Sequence, residues 1–247
     1  MEYSCIQLND LPDEILMIIF KKLDNVEVLY SLMHVNKRIN KLVHDSIFTS
    51  GLHLLRYLCS GYIYPLSDSI LNRFCSKILP EIGHKIRWLS LESLSVERIL
   101  LSTNYPNLFG LSLYNIELET ALRLLIGESS LTHIFKNQIS SLLIKIAANK
   151  KLIVDMCTFL FTYIITTFTN LQYLNFDTSF LCHQRISFIK SSPTVYSSTL
   201  LIMHVKVNYL NDCLDLLDGR FNQLHTLYVT IVTGIPPALS KINNKVL

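Results

Sequence analysis

Cysteine and histidine are the residues of this sequence best able to bind a metal or act as a nucleophile. Six cysteines and eight histidines are spread along 247 residues, and no Cys-x-x-Cys pair occurs. Cys182 and His183 are the only adjacent cysteine and histidine, whereas a zinc site needs four ligands at supporting spacing. We therefore interpret this pair as incidental and predict no metal site. A cysteine nucleophile with a histidine brought close only by the fold stays an open alternative.

The known signatures of nucleotide and hydrolase chemistry are missing from the sequence. The chain has seven glycines and no P-loop, GxGxxG, HExxH or GxSxG motif, so no glycine-rich loop is present to approach a phosphate. We predict that the protein is not an enzyme and takes no cofactor. A hydrolase built from dispersed residues is the most distant alternative.

Composition and charge exclude several other classes of protein. Half of the residues are hydrophobic and 17% are charged, which argues against disorder and allows one large or two small domains. The net charge of +3, without a run of five or more like charges, predicts no nucleic-acid partner. The start lacks a basic segment, no N-glycosylation motif occurs, and the cysteines are widely spaced. These features predict a cytoplasmic and/or nuclear protein.

One segment is apolar enough to raise the possibility of membrane insertion. Residues 152–168 are only 17 residues long, near the minimum for a membrane-spanning helix, and they include Asp155. We favour a buried helix and predict no membrane partner. A membrane-associated protein that inserts residues 152–168 is the alternative.

The first fifty residues predict three short helices. Asp10, Pro12 and the acids at 13 and 14 are typical of a helix start, and apolar spacing extends this helix over about 12–23. Further helices are predicted over about 25–35 and 36–45. Apolar residues cover two flanks of the first helix, so either the rest of the chain or a partner must cover the surplus. Residues 1–50 carry a net charge of −2 and the remainder +5, which predicts a module boundary near residue 50.

A longer pattern runs through this segment. It reads Leu8-x-x-Leu11-Pro12-Asp13-Glu14-Ile15-Leu16-x-x-Ile19-Phe20-x-x-Leu23, followed by Leu32-x-x-Val35-x-Lys37-Arg38. Over residues 6–46 this pattern resembles the F-box, the adaptor-docking module of substrate receptors in SCF cullin–RING ubiquitin ligases. It implies a three-helix fold that binds a Skp-type adaptor and, through it, cullin and RING subunits. Two positions depart from the family pattern, because Asn36 and Ile39 stand where the family usually has Cys and Trp.

The resemblance also implies which residues face the adaptor or hold the module together. These are Leu11, Pro12, Ile15, Ile19, Phe20, Leu23, Val28, Leu32 and Val35. Helical periodicity alone does not say which flank is outward, so any one of them could instead belong to the internal core.

From residue 86 onward an apolar-x-x-apolar-x-apolar pattern occurs six times. Its central positions are 89, 111, 142, 174, 203 and 227, so neighbouring copies are 22 to 32 residues apart. Helical stretches are predicted between them, at 96–101, 119–126, 151–168, 185–189 and 210–217. The pattern resembles the leucine-rich-repeat half of F-box receptors. It predicts a mainly helical α/β fold in which the F-box precedes an irregular leucine-rich-repeat solenoid with a short parallel sheet over 86–247. A generic α/β or all-helical domain is the alternative.

Residues 47–85 resemble neither module. Leu52, Leu54, Leu55 and Leu58 predict one helix, and the apolar residues from 70 to 79 predict a second. We interpret this segment as a helical bridge that caps the exposed edge of the first repeat.

Alternate residues of the six predicted strands must point away from the leucines, to a surface that a solenoid would make concave. We predict that this surface binds a target protein. The candidates are Trp88, Tyr114, Lys145, Tyr173, Asn175, Asp177, His204, Lys206 and Tyr228. Tryptophan and tyrosine are common in interface hot spots, although exposed strands also favour aromatic residues for other reasons.

Together the two resemblances imply the substrate-recognition subunit of an SCF-type ubiquitin ligase, which would catalyse nothing itself. A non-catalytic interaction scaffold without a ligase role is the nearest alternative.

Overall fold

The computed structural model of the chain describes residues 8–57, 63–126, 135–147, 156–178, 185–188 and 196–233. The fold is mixed α/β, with a group of short helices followed by a seven-stranded parallel sheet. Cys182 and His183 and residues 152–155 lie outside the described residues.

The N-terminal group consists of a 3-10 turn, Leu8–Asp10, and four helices. The helices are α1 (Asp13–Phe20), α2 (Asn25–Leu32), α3 (Lys37–Val43) and α4 (Ser46–Thr49). Both departures from the F-box pattern have local roles. The Asn36 side chain accepts a hydrogen bond from the backbone N–H of Ile39 at 2.8 Å and so caps α3, and Ile39 itself is buried.

The segment after α4 begins with strands. The prediction of a first helix within residues 47–85 is therefore wrong. Strand β1 (Gly51–Leu54) has Leu52 and Leu54 buried and His53 exposed, which is the alternation of a half-buried strand. Strands β2 (Arg56–Tyr57) and β3 (Ile63–Tyr64) pair antiparallel. The second predicted helix is present as α5 (Asp68–Arg73), a π-helical turn (Phe74–Ile78) and α6 (Leu79–Ile82), followed by a 3-10 turn, Gly83–Lys85.

All six repeats of the apolar pattern form strands, as predicted. The strands are β4 (Trp88–Glu92), β5 (Gly110–Ile116), β6 (Ser141–Ile146), β7 (Tyr173–Thr178), β8 (Ile202–Val207) and β9 (Thr226–Ile231). With β1 on the outside, their order in the sheet is β1-β4-β5-β6-β7-β8-β9. Every pairing is parallel, and Leu52, Leu89, Leu111, Leu142, Leu174, Met203 and Leu227 stand in one register across the sheet.

Helices occupy most of the predicted positions between the strands. They are α7 (Val96–Leu100), α8 (Leu118–Ile126), α9 (Met156–Thr167) and α10 (Leu210–Leu216). The helix predicted at 185–189 is wrong where it is described, because Ile186 forms an isolated parallel bridge with Val207 instead. Helix α9 buries Leu160, Phe161 and Ile164. Among the described residues, none of the helices has the length and apolar character needed to cross a membrane.

The N-terminal helices and the sheet share one hydrophobic core. Buried side chains form a continuous cluster from Leu16 in α1 to Phe221 before β9. Phe20 lies edge-on to Phe48 of α4, with ring centroids 6.4 Å apart, and the segment after α4 enters the sheet directly as β1. The sequence left open whether the rest of the chain or a partner covers the two apolar flanks of the first helix. One of the two flanks of α1 is covered by the rest of the chain.

Polar contacts also join the N-terminal helices to α6. Glu81 contacts His34 Nε2 at 2.6 Å and His44 Nε2 at 2.8 Å, one with each carboxylate oxygen. Burial alone would raise the pKa of Glu81, but the hydrogen bonds and charges of His34 and His44 outweigh it and lower the pKa. Arg73 adds a hydrogen bond from Nη2 to the Met33 carbonyl at 3.1 Å.

We expect Glu81→Gln to lower the melting temperature at pH 6, because it removes the charge that the two histidines stabilise. The site is partly exposed, so the loss should be about 1 kcal/mol or less. A carboxylate with a lowered pKa stabilises the fold above its unfolded-state pKa and loses that effect as the pH falls through the folded-state value. The difference between the two proteins should therefore shrink on acidification below about pH 4. Melting curves at several pH values test this, with Glu119→Gln, at an exposed residue of α8, as the control; a constant difference would contradict the expected role of Glu81.

Candidate functional site

Helix α1 presents an exposed apolar face formed by Ile15, Ile18 and Ile19. These residues are spaced i, i+3 and i+4, so they lie on one side of the helix, while Leu16 and Phe20 are buried on the other. Leu23 follows the helix and is also exposed. A soluble chain rarely leaves several large aliphatic side chains together in water, so this face is suited to bind a partner.

The structure separates the nine predicted adaptor-binding residues into two groups. Exposed or partly exposed are Leu11, Pro12, Ile15, Ile19, Leu23, Leu32 and Val35. Phe20 and Val28 are 1% and 0% exposed, so of the two roles that the resemblance implies they have the second, that of holding the module together. Sequence reasoning missed Ile18, which is 56% exposed, although its spacing of three from Ile15 was a usable signal.

Arg38 of α3 holds the start of α1 in place. Its Nε lies 2.6 Å from Asp13 Oδ1, and its Nη2 donates to the Leu11 carbonyl at 2.6 Å. One guanidinium thus binds a carboxylate and a backbone carbonyl just before the apolar face begins. Arg38 is part of the F-box resemblance, but no pattern in the sequence indicates these two contacts.

A second candidate surface is the open face of the sheet, the side opposite the leucines in register. Neighbouring strands place Trp88, Gly110, Ser141 and Tyr173 in one row across it. A parallel row contains His53, Ser90, Ser112, Leu143, Asn175, His204 and Tyr228, of which Ser90 and Ser112 are buried. The nine residues predicted to bind a target alternate with the buried core residues of their strands, so the structure brings them to this one face.

Aromatic and charged side chains on the open face contact one another across strands. His204 lies between Tyr173 and Tyr228, with ring centroids 5.5 Å and 4.2 Å away respectively. Lys206 Nζ lies 2.5 Å from Asp177 Oδ1 on the next strand. These contacts pre-order the rings and charges, which lowers the entropic cost of binding a partner.

The β2–β3 pair lies against the end of the open face at β5. The Asn115 side chain donates to the Ile63 carbonyl at 3.0 Å. Burial, and then the neighbouring Tyr57 hydroxyl, raise the pKa of Tyr114, and Lys145 Nζ lies 5.5 Å from the Tyr114 ring centroid. Sequence reasoning missed this contact because it predicted a helix where β1 and β2 lie.

Trp88 lies flat against the backbone of Gly110 on the neighbouring strand. A Cβ atom added at Gly110 would stand 2.0 Å from Trp88 Cε3, so the indole occupies space that any other residue would fill. The indole N–H donates to the Ser90 hydroxyl at 3.3 Å, and the ring lies edge-on to Phe109 at 6.2 Å. Trp88 is therefore part of the sheet's packing as well as of its open face.

The described residues offer little for metal or redox chemistry. Within the ranges that the structure describes, no group of three histidine, cysteine, aspartate or glutamate residues is arranged to hold a metal ion. Cys75, Cys157 and Cys213 are free thiols, and burial raises the pKa of Cys75, which disfavours its reactive thiolate.

Comparison with known families bears on the N-terminal helices. Residues 8–50 match the family model described as F-box-like, which supports an F-box protein. The match runs from the 3-10 turn Leu8–Asp10 to α4. It includes the apolar face of α1 and the contacts that Arg38 makes with Asp13 and the Leu11 carbonyl. No curated protein matches the chain.

We expect Gly110→Ala to displace Trp88, because the new methyl group would overlap the indole. Overpacking of this kind costs about 1 to 3 kcal/mol. The protein has a single tryptophan, so its fluorescence spectrum reports the displacement directly. Gly51→Ala is the matched control, since Gly51 is the partner of Trp88 on the other neighbouring strand and a Cβ there meets nothing within 4 Å. Unchanged emission and stability in Gly110→Ala would show that the ring does not rest on Gly110.

Proposed function

We propose that this protein is the substrate-recognition subunit of an SCF-type cullin–RING E3 ubiquitin ligase. Residues 6–46 dock a Skp-type adaptor, residues 47–85 form a bridge, and residues 86–247 bind a target protein. The observation that carries the proposal is the exposed apolar face of α1 within the F-box-like module. A face that the chain's own core leaves uncovered, on a helix fixed by Arg38, has the properties of a docking surface.

We further propose that residues 86–247 form an irregular leucine-rich-repeat solenoid. The support is topological: the strands β4 to β9 follow one another in chain order, all parallel, with their core positions in one register. Each strand with its connection hides its apolar side only by stacking on the next unit, which is the logic of solenoid repeats. Strand β1 pairs with the edge of β4 and so caps the first repeat. The sequence predicts a helix as this cap.

The mechanism is tethering rather than chemistry by this chain. F-box proteins are typically non-catalytic substrate receptors. The open face and α1 are parts of elements that share one hydrophobic core. A target bound on the open face would therefore be kept at a high effective concentration near the ubiquitin-charged enzyme that the adaptor brings. We place this activity in the cytoplasm and/or the nucleus, and it requires no cofactor.

We expect the double change Ile15→Asp and Ile19→Asp to abolish adaptor capture, because it places two charges in the apolar face without touching the buried flank. Losing an interface hot spot costs about 2 kcal/mol or more, a weakening of about 30-fold for each. Affinity for the Skp-type adaptor is measured with purified full-length protein.

Leu94→Asp is the control, because Leu94 is 81% exposed and follows β4 in the chain, outside the F-box-like segment. Adaptor affinity that stays unchanged in the folded double variant would count against the proposal. Recovery of adaptor without cullin and RING subunits in the purified complex would instead identify a scaffold with no ligase role.

We expect Tyr228→Ala to weaken target capture and leave adaptor binding intact. Tyr228 is 58% exposed, and within the part of the chain that the structure describes its ring stacks on His204, so its removal should cost the fold about 0.5 kcal/mol or less. Proteins that co-purify with the chain and are ubiquitylated in its presence are quantified by mass spectrometry for each variant. Tyr196→Ala, at an exposed tyrosine in a connection before β8, is the control. A large fall in melting temperature would show that Tyr228 is structural.

A further inference from the structure

The imidazole ring of His44 lies between two hydrogen-bond acceptors where the N-terminal helices meet α6. His44 directly follows α3. Its Nδ1 lies 2.7 Å from the Asn40 carbonyl oxygen, and its Nε2 lies 2.8 Å from Glu81 Oε1. A carbonyl oxygen and an ionised carboxylate accept hydrogen bonds and donate none. The lowered pKa of Glu81 keeps its carboxylate ionised, so both ring nitrogens of His44 face an acceptor.

The protonation state of His44 decides whether both contacts can form. The imidazolium ion carries an N–H on each nitrogen and can donate to both acceptors. Either neutral tautomer has one N–H, so its other nitrogen would direct a lone pair at an acceptor 2.7 or 2.8 Å away. An unmade hydrogen bond is costly where water has little access, and the His44 side chain is only 19% exposed. The observed geometry is that of the protonated ring.

His34 contacts the same carboxylate but does not need a second proton. Its Nε2 lies 2.6 Å from Glu81 Oε2, and within the described residues Glu81 is the one partner of its ring. A neutral imidazole with its proton on Nε2 still donates this bond, so deprotonation removes the charge of His34 but not its contact. Its side chain is 44% exposed, and water weakens the effect of that charge.

Charged groups from several elements surround His44. The acids are Glu81 of α6 and Asp45, whose side chain accepts the Ile47 backbone N–H and so caps α4. Basic residues of the 3-10 turn after α6 and of the segment that enters β4 line a solvent-open cavity together with His44: His84, Lys85 and Arg87. Lys85 also donates from Nζ to the His44 carbonyl at 3.1 Å. These charges oppose one another, so the hydrogen bonds distinguish the protonated ring from the neutral one.

The contacts of Glu81 extend to α1 through α3. His34 lies before α3 and His44 follows it, so one carboxylate holds the chain on both sides of this helix. Arg38 of α3 in turn binds the start of α1. A loss of the His44 contact would therefore loosen the helix that positions the apolar face of α1.

Arg73 adds a contact that does not depend on pH. Its Nη2 donates to the Met33 carbonyl at 3.1 Å, and its guanidinium lies 5.0 Å from the centroid of the Tyr30 ring in α2. Arginine is not deprotonated in proteins. Together with the shared hydrophobic core, this contact keeps α2 attached when α3 loosens.

We propose that His44 is a pH-sensitive switch in the joint between the F-box-like helices and the sheet. Its protonated ring fastens the end of α3 to α6. As the pH rises through the range in which histidine loses its charge, about pH 5 to 8, one of its two contacts is lost. A proton bound more tightly in the folded state stabilises the fold at low pH, and this contribution disappears as the pH rises. The switch does not rest on the proposed function, but its effect on adaptor docking does.

Melting temperatures of the full-length protein at pH 6 and pH 8 test the switch, with His44→Gln as the variant. We expect the variant to melt about 2 to 4 °C below the unsubstituted protein at pH 6, and this difference to fall by about half or more at pH 8. His34→Gln is the matched control, because His34 faces the same carboxylate and keeps its bond when neutral. Its difference should change less between the two pH values. Equal differences at both pH values for His44→Gln would overturn the proposal.

Nitrogen-15 NMR of the histidine rings provides a measurement that does not depend on the folding of a variant. Two-bond proton–nitrogen correlations distinguish an imidazolium ring from either neutral tautomer. At pH 6 we expect the His44 ring of the unsubstituted protein to be predominantly protonated on both nitrogens, and at pH 8 on one. A His44 ring that is neutral at pH 6 would overturn the proposal as well.

Adaptor affinity at the same two pH values tests whether the switch acts on docking. The quantity compared is the ratio of the dissociation constants of His44→Gln and the unsubstituted protein, in which titration of the adaptor itself cancels. We expect a ratio of about three at pH 6 and about one at pH 8, because α1 is less well pre-ordered when α3 is loose. A ratio of one at both pH values would overturn the effect on docking. Absence of adaptor binding by either protein would instead overturn the proposed function, whereas the melting curves and the NMR spectra decide on the switch.

Discussion

The structure depends on the burial of one row of aliphatic side chains that runs across all seven parallel strands. From Leu52 to Leu227, each strand contributes one residue to this row in a common register. A parallel pair of strands cannot be joined by a tight turn, so every strand requires a crossover, and the crossovers supply the helices that cover the row. No strand of this sheet can bury its apolar side alone, because the side chains that cover it belong to its neighbours and to their connections.

This constraint explains how the N-terminal helices are placed. Because β1 continues directly from α4 and pairs with β4, the helices are drawn onto the same core as the sheet. The side chains of Phe20 and Val28 are buried in that core, whereas the opposite side of α1 lies outside it. The histidine contacts of Glu81 and the guanidinium contacts of Arg38 then fix the orientation of the helices, so an adaptor docked on α1 would hold a defined position relative to the open face of the sheet.

The parts of the fold that follow from periodicity could be predicted from the sequence. Six strands were found because each carries three core residues in a fixed pattern, and the open-face residues followed from alternation. The strand β1 was missed because Leu52, Leu54, Leu55 and Leu58 satisfy helical spacing as well as alternation, and only pairing with β4 decides between them. Contacts between distant side chains had no local signal: the fit of Trp88 on Gly110 joins residues 22 positions apart, and Arg38 binds a carboxylate 25 positions away.

The same geometry limits how freely the surfaces of this molecule can vary. Period-two alternation places open-face residues such as Tyr228 outside the core, so their identity can change with little effect on the fold. Trp88 is different, because its indole fills the space above Gly110 and lies edge-on to Phe109. A smaller side chain at this position would leave a cavity against the Gly110 backbone and remove the aromatic contact. The identity of residue 88 is therefore tied to the packing of β4 against β5 and not only to the open face.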